Sequence, residues 1–234
     1  RGGAMELILG QVLSFAGDPF DEGPDAARHV ARGGVLVGDG RIAAVGDGAA
    51  LRAAHPEARI TDMGDALLSA GFVDAHVHYP QTAIVASWGK RLIDWLETYT
   101  FPEEARFADP VHAARIAERY LDLALAQGTT SFCTYATIHP ASVDAIFAAA
   151  RGRGMRAWAG KTCMDRNAPE ALRDTAQGAY DDSRALLGRW HGVGRLSYVV
   201  TPRFTPTSSP EQLEALGALW AANPDCLMQT HLSE

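Results

Sequence analysis

The chain of 234 residues carries 21 lysines and arginines against 28 aspartates and glutamates, a formal net charge of −7 with neutral histidines. Its 47% hydrophobic and 21% charged residues are typical of a globular protein with enough apolar material for a core. No run of Lys and Arg exceeds two residues, and no apolar stretch approaches the length of a membrane span, so we expect neither a nucleic acid nor a membrane as partner.

The three cysteines are Cys133, Cys163 and Cys226, an odd number at wide spacing and without a Cys-x-x-Cys pair. This pattern excludes a disulfide framework and a thiolate zinc site. Each cysteine lies in an apolar run, which favours buried free thiols and a cytoplasmic location.

Residues 1–68 are predicted to form a small β-sandwich module, completed by residues beyond the C-terminal end of the chain. The turn sequence Asp39-Gly40 between two apolar runs is a strong hairpin signal. In order, the predicted elements are a strand over 6–15, an exposed loop over 18–32, a hairpin over 34–45, a short helix over 49–54 and a strand over 60–68.

Residues 69–234 alternate between strand and helix patterns. Such alternation predicts a parallel sheet with helices outside, either doubly wound or a (β/α)8 barrel. The predicted strands are 72–76, 129–136, 156–164, 196–204 and 226–232, and the predicted helices are 110–127, 140–153, 169–189 and 210–223.

The spacing of these strands is about 38 residues, so a barrel of eight units requires about 300 residues. Only 164 residues run from Gly71 to Glu234. If the fold is a barrel, we expect the sequence to stop within its fifth unit.

The motif at the first of these strands is His76-Val77-His78, inside an apolar run that predicts a strand buried on both faces. The two imidazoles point to one side of a strand and can hold one divalent ion. About 0.3 such motifs are expected by chance from eight histidines, and two histidines making ordinary hydrogen bonds are the alternative.

Polar side chains also end the later strands, as in barrels whose active site lies at the carboxyl ends of the strands. His231 can supply a third metal ligand, and Glu234 can transfer protons or, alternatively, cap a following helix. Arg203 offers a planar fork for a carbonyl or carboxylate, and Phe204 offers a face for a flat ring.

An amphipathic helix is predicted in the long insertion after the His-x-His strand. Leu92, Trp95, Leu96 and Tyr99 recur at helical spacing. They can pack into the core or form a lid over a pocket.

The sequence resembles the guanine deaminases of the amidohydrolase superfamily from about residue 68 to its end. The matching runs are 71–82 (GFVDAHVHYPQT), 94–102 (DWLETYTFP), 164–169 (MDRNAP), 201–204 (TPRF) and 230–234 (THLSE).

This resemblance implies a TIM-type (β/α)8 barrel of the amidohydrolase kind, of which about five βα units are present. It also implies metal-dependent hydrolysis of guanine to xanthine and ammonia, and a homo-oligomer such as a dimer. Zinc is the usual ion of the family. The residues implied are His76, His78 and His231 as metal ligands, Gln81, Arg203 and Phe204 as purine contacts, and Glu234 as the proton carrier.

The family pattern also requires a His after the sixth strand and an Asp after the eighth, both beyond Glu234. We therefore expect the isolated 234-residue chain to be inactive and to need a C-terminal half that completes the barrel. The alternatives are a related deaminase that acts on another aminated heterocycle, such as 8-oxoguanine or a triazine, and a barrel that serves only as a scaffold.

Overall fold

The computed structural model describes residues 4–89 and 91–232, which fall into two compact units. The first unit ends at Ala70 and the second begins at Gly71. In the described residues, no helix combines the length and the apolar character that crossing a membrane would require.

The first unit is a four-stranded sheet with the order β3-β2-β1-β4. β1 pairs antiparallel with β2 and parallel with β4, and β2 pairs antiparallel with β3. Its elements are β1 (Glu6–Phe15), α1 (Pro19–Glu22), β2 (Ala27–Gly38), β3 (Arg41–Asp47), α2 (Gly48–Ala54) and β4 (Arg59–Leu68).

The hairpin between β2 and β3 is confirmed. Asp39 and Gly40 adopt φ values of 51° and 71°, the paired positive values of the turn that matches the twist of a hairpin. The predicted β module is present as one sheet, and residues 4–70 do not themselves form the second sheet of a sandwich.

The loop prediction over 18–32 is wrong for the short helix α1 and for its last six residues, which belong to β2. Val12 and Phe15 of β1 pair with Val30 and Ala27, so the second half of the long strand β1 provides backbone partners for this stretch. Backbone pairing outweighs a local composition poor in strand-forming residues.

The second unit is a parallel sheet with the order β10-β9-β7-β6-β5, to which β8 adds by pairing with β9. Its strands are β5 (Phe72–His78), β6 (Thr129–Tyr135), β7 (Arg156–Gly160), β8 (Thr162–Cys163), β9 (Leu196–Pro202) and β10 (Leu227–Met228). Its helices are α3 (Leu92–Trp95), α4 (Phe101–Ala105), α5 (Pro110–Ala126), α6 (Pro140–Arg153), α7 (Ala176–Trp190) and α8 (Pro210–Ala221).

The strand order follows the chain without the reversal that defines a doubly wound sheet. Consecutive strands that pair in sequence order, each followed by a helix, are the units of a (β/α)8 barrel. The barrel alternative is therefore the one that the structure supports.

Helix boundaries follow local capping chemistry. The side chains of Asp109 and Ser209 accept hydrogen bonds from backbone N–H groups in the first turns of α5 and α8. The predicted start of the third helix at residue 169 is wrong, because α7 begins at Ala176, where the Thr175 side chain accepts from the Gly178 N–H. Residues 170–172 form a separate 3-10 turn.

Strand β5 is not buried on both faces as predicted. Phe72 and Val73 are 64% and 66% exposed. In the described part of the chain β5 pairs only with β6, so it is the edge of the sheet, and an apolar run alone does not distinguish an edge strand from a central one.

The main core lies between the sheet and helices α5, α6 and α7. Phe147 of α6 is fully buried, and its ring lies 5.6 Å from that of Trp190 in α7. Cys163 and Cys226 are buried free thiols as predicted, whereas Cys133 is partly exposed.

We expect Phe147→Ala to lower the free energy of unfolding by about 3–5 kcal/mol, because the cavity left between α6 and α7 cannot close. Urea denaturation followed by circular dichroism measures the change. The matched control is Phe20→Ala, at a side chain that is 97% exposed, which should shift stability by at most about 0.5 kcal/mol. Equal losses in both variants would contradict the described packing.

Candidate functional site

Three imidazoles converge at the carboxyl end of β5. His76 and His78 come from β5, and His231 follows β10. Ring nitrogens of the three residues lie within 4.8 Å of one another, and Nε2 of His78 is 3.1 Å from Nε2 of His231. The structure thus brings together the three histidines that the sequence singled out.

The orientation of His231 is fixed by the backbone of Arg203. The Nδ1–H of His231 donates to the Arg203 carbonyl at 2.8 Å, and the backbone N–H of His231 donates to the same oxygen at 3.0 Å. Because a carbonyl only accepts, the ring carries its proton on Nδ1, and Nε2 presents a lone pair toward His78. A backbone acceptor of this kind is the usual support of a metal-binding histidine.

His78 is in the form that binds metal. Burial lowers the pKa of His78 well below its usual range, and the positive charge of Arg203 lowers it further. The imidazole is therefore neutral at pH 7, and neutral imidazole is the metal ligand.

The donor set fits a divalent ion bound by nitrogen. Two nitrogens that share a tetrahedral zinc at 2.0–2.1 Å are about 3.3 Å apart, close to the 3.1 Å between the two Nε2 atoms. His76, whose ring nitrogens lie within 4.8 Å of those of the other two residues, completes a candidate set of three nitrogen ligands. The predicted proton carrier Glu234 lies outside the described residues.

A cavity of about 190 Å³ opens beside the imidazoles. Every predicted site residue that the structure describes lines this cavity, and so does part of the amphipathic insertion. The lining residues are His76, His78, Gln81, Leu92, Trp95, Leu96, Arg203, Phe204 and His231.

The amphipathic insertion forms part of the wall of this cavity. It comprises α3, a π-helical turn over Leu96–Thr100 and α4. Leu96 is buried, and Leu92, Trp95 and Leu96 all line the cavity. The segment therefore packs on the unit and lines the pocket, and its role as a lid stays a prediction.

Arg203 is paired with a carboxylate that the sequence did not reveal. Its Nη1 donates to Oε2 of Glu104 at 2.7 Å, and its Nη2 donates to Oε1 at 3.3 Å. Nε2 of Gln81 donates to Oε1 of the same carboxylate at 3.3 Å. Glu104 thus joins the two predicted polar contacts of the pocket, and no local pattern near it signals this role.

The loop that directly follows Phe204 is held by two side chains from the segment after β8. Arg166 donates to the carbonyl of Thr205 at 2.6 Å, and Asn167 donates to the carbonyl of Pro206 at 2.7 Å. The 165–167 run therefore supports the loop after Phe204 and does not line the cavity.

Tyr135 is a second residue that the sequence did not single out. Its ring stacks on His78 at 4.5 Å and 8° and on His231 at 4.4 Å and 29°. Its position at the end of a predicted strand is a signal that could have identified it. A buried aromatic ring against two imidazoles restricts how they can rotate.

Two other polar strand-end residues lie away from the cavity. Lys161 is buried and forms an ion pair with Asp174, whose other oxygen accepts from Gln212. Cys163 is buried, and burial raises the pKa of its thiol to about 11. These groups are structural and not nucleophilic.

Comparison with known proteins shows the family to which the chain belongs. Residues 67–234 match the sequence model of the amidohydrolase family, and residues 33–58 match a bacterial imidazolonepropionase-like composite domain. The first match covers most of the chain, so the chain belongs to the amidohydrolase family. Two structural neighbours with this fold, an atrazine chlorohydrolase from Arthrobacter aurescens and an adenosine deaminase from Xanthomonas campestris, contain bound zinc.

Within this family the chain is similar to guanine deaminases. It is 41% identical to the guanine deaminase of Escherichia coli (strain K12), over 93% of this chain and 50% of that protein. The structure of guanine deaminase from Bradyrhizobium japonicum is 38% identical with a TM-score of 0.95, over 99% of this chain and 50% of that chain. Guanine deaminase from C. acetobutylicum, with guanine bound in its active site, is 28% identical with a TM-score of 0.88, over 98% and 53%.

The chain spans about half the length of the curated relatives it matches. Within that half, the predicted class of fold and the resemblance to guanine deaminases are confirmed.

We expect His78→Ala to weaken metal binding by at least about tenfold, since even changes in the supports of a ligand cost that much. Metal content per chain, measured by mass spectrometry after dialysis of the full-length protein, reports the loss. The control is His29→Ala, an exposed histidine that bonds Gln11 in the first unit. Full metal content in the His78 variant would refute the proposed ligand set.

Proposed function

We propose that this chain supplies the metal ligands and most of the substrate pocket of a guanine deaminase, which converts guanine and water to xanthine and ammonia. The observation that carries the proposal is a single cavity bordered by three imidazoles, a paired guanidinium, an amide and an aromatic ring. The similarity to guanine deaminases over nearly the whole chain supports the same reaction.

We assign His76, His78 and His231 as ligands of one ion, with zinc as the ion that suits three imidazoles at this spacing. When bound, such an ion supplies the activation of water for attack on a ring carbon. The protein holds the three rings through the Arg203 carbonyl and the face of Tyr135.

The pocket fits a neutral heterocycle better than an anion. The charge of Arg203 is balanced by Glu104, so the cavity offers directed N–H donors without a net positive charge. A ring carbonyl can accept from Arg203, and the Gln81 amide can pair with an adjacent ring N–H. Phe204 offers a ring face next to His231, with the two ring centres 6.3 Å apart.

Glu234 is assigned the proton transfers on the basis of the family resemblance. It accepts a proton from the attacking water and delivers it to the ring nitrogen. The proton of the hydroxyl group now on the ring carbon then moves to the amine, so that the C–N bond breaks, ammonia leaves and the ring carbonyl forms. A homo-oligomer, a cytoplasmic location and inactivity of the isolated chain stay predictions.

The test is the release of ammonia and xanthine from guanine by the full-length protein, compared with 8-oxoguanine and melamine. We expect guanine to have the highest kcat/KM. Glu234→Gln should lower kcat by about 100-fold or more while zinc content is retained, because only proton transfer is lost.

The control for that variant is Glu211→Gln, an exposed glutamate in α8 that should leave kcat unchanged. Higher kcat/KM on melamine or 8-oxoguanine than on guanine would contradict the proposed substrate. Near wild-type turnover by Glu234→Gln would contradict the assigned proton carrier.

A further inference from the structure

A fully buried carboxylate lies behind two of the residues that line the candidate pocket. Glu104 lies in α4 with 0% of its surface exposed, and Arg203 is 4% exposed. Both oxygens of Glu104 accept hydrogen bonds from residues that line the cavity. Burial of an ion pair is close to neutral for stability, so this pair is not explained by the stability of the fold.

Glu104 determines which way the Gln81 amide faces. A carboxylate accepts hydrogen bonds and does not donate them, so the group of Gln81 that meets it must be the NH₂. The amide oxygen of Gln81, a residue that lines the cavity, is then directed away from Glu104. A neutral partner that could also donate would allow the amide to turn over.

Glu104 also determines which donors of Arg203 remain. The pair uses one N–H from each terminal nitrogen of the guanidinium, Nη1 also donates to Sδ of Met164 at 4.0 Å, and two of the five N–H groups are left. The fork is held in one plane by the two bonds and by Phe101, whose ring centre is 5.6 Å from the guanidinium carbon. Arg203 therefore presents donors in a fixed direction with its charge balanced.

We propose that Glu104 is a positioning residue that sets substrate specificity, an inference that rests on the proposed function. By fixing Arg203 as a donor and Gln81 as an acceptor, it makes the pocket complementary to a lactam edge, a ring C=O beside a ring N–H. A purine with an amino group in place of the carbonyl presents the opposite pattern of donor and acceptor, and leaves buried polar groups of the site unpaired.

The experiment compares guanine with 2,6-diaminopurine, which carries an amino group in place of the guanine carbonyl. We expect Glu104→Gln in the full-length protein to raise the KM for guanine by about 10- to 100-fold, the size of a lost charge-assisted hydrogen bond. The ratio of kcat/KM between the two purines should fall by at least about tenfold, with zinc content unchanged.

The matched control is Glu103→Gln, one residue earlier in α4. Glu103 is also buried but pairs with Arg106 and His112, away from the cavity. Its substitution should leave the purine ratio within about twofold of wild type, whatever it does to stability.

A second variant covers the case in which Glu104→Gln does not fold. Glu104→Asp keeps the charge on a shorter side chain, so KM should rise while the preference for guanine is largely retained. In a Gln81→Leu background, substitution of Glu104 should change the purine ratio less than in wild type. Glu104 acts on the ratio through Gln81 and through Arg203, and the first of these contacts is already removed in that background.

An unchanged purine ratio in folded, zinc-loaded Glu104→Gln would overturn the role of Glu104 while the deaminase assignment stands. An equal change in Glu103→Gln, or loss of guanine preference in Glu104→Asp, would overturn it as well. Absence of guanine deamination by the wild-type protein would overturn the proposed function and this inference with it.

Discussion

The site depends on one residue at the end of β9. The backbone carbonyl of Arg203 accepts both hydrogen bonds that orient His231, and its guanidinium forms the buried pair with Glu104. The imidazole cluster and the polar side of the pocket are therefore held by the same few atoms of chain. A shift of this strand end would disturb the proposed metal ligands and the proposed substrate contacts together.

The parallel sheet makes this arrangement possible, because it brings the carboxyl ends of all its strands to one edge. β5 supplies His76 and His78, β6 supplies the ring of Tyr135 against them, and Arg203 directly follows β9. The charge of Arg203, which lines the cavity, is balanced by Glu104, so the groups left for a ligand are imidazole nitrogens and a few directed N–H donors. Such a site suits a neutral, planar ligand beside a metal ion better than an anion.

Secondary structure followed the local sequence pattern where capping residues and periodicity decided it. It departed from that pattern where pairing with a distant strand decided it. The helix over Pro140–Arg153 and the turn at Asp39-Gly40 are as the sequence predicted. Residues 27–32 are a strand because β1 provides partners, although their composition favours a loop. The prediction that β5 is buried on both faces was also wrong. The burial of a strand depends on the number of its neighbouring strands, and a run of apolar residues does not reveal that number.

The sequence by itself determined the class of fold, the strand that carries His76 and His78, and the family to which the chain belongs. The predicted strand over 226–232 was too long, since β10 covers only Leu227–Met228 and His231 follows it. A His-x-His pair on one strand must face one way, and this follows from the backbone alone. Only the tertiary structure decided that Glu104 pairs with Arg203 across 99 positions of the chain and that Tyr135 stacks on two of the imidazoles. These contacts join residues remote in sequence, and no local period of two or 3.6 residues records which distant side chain will meet a buried charge.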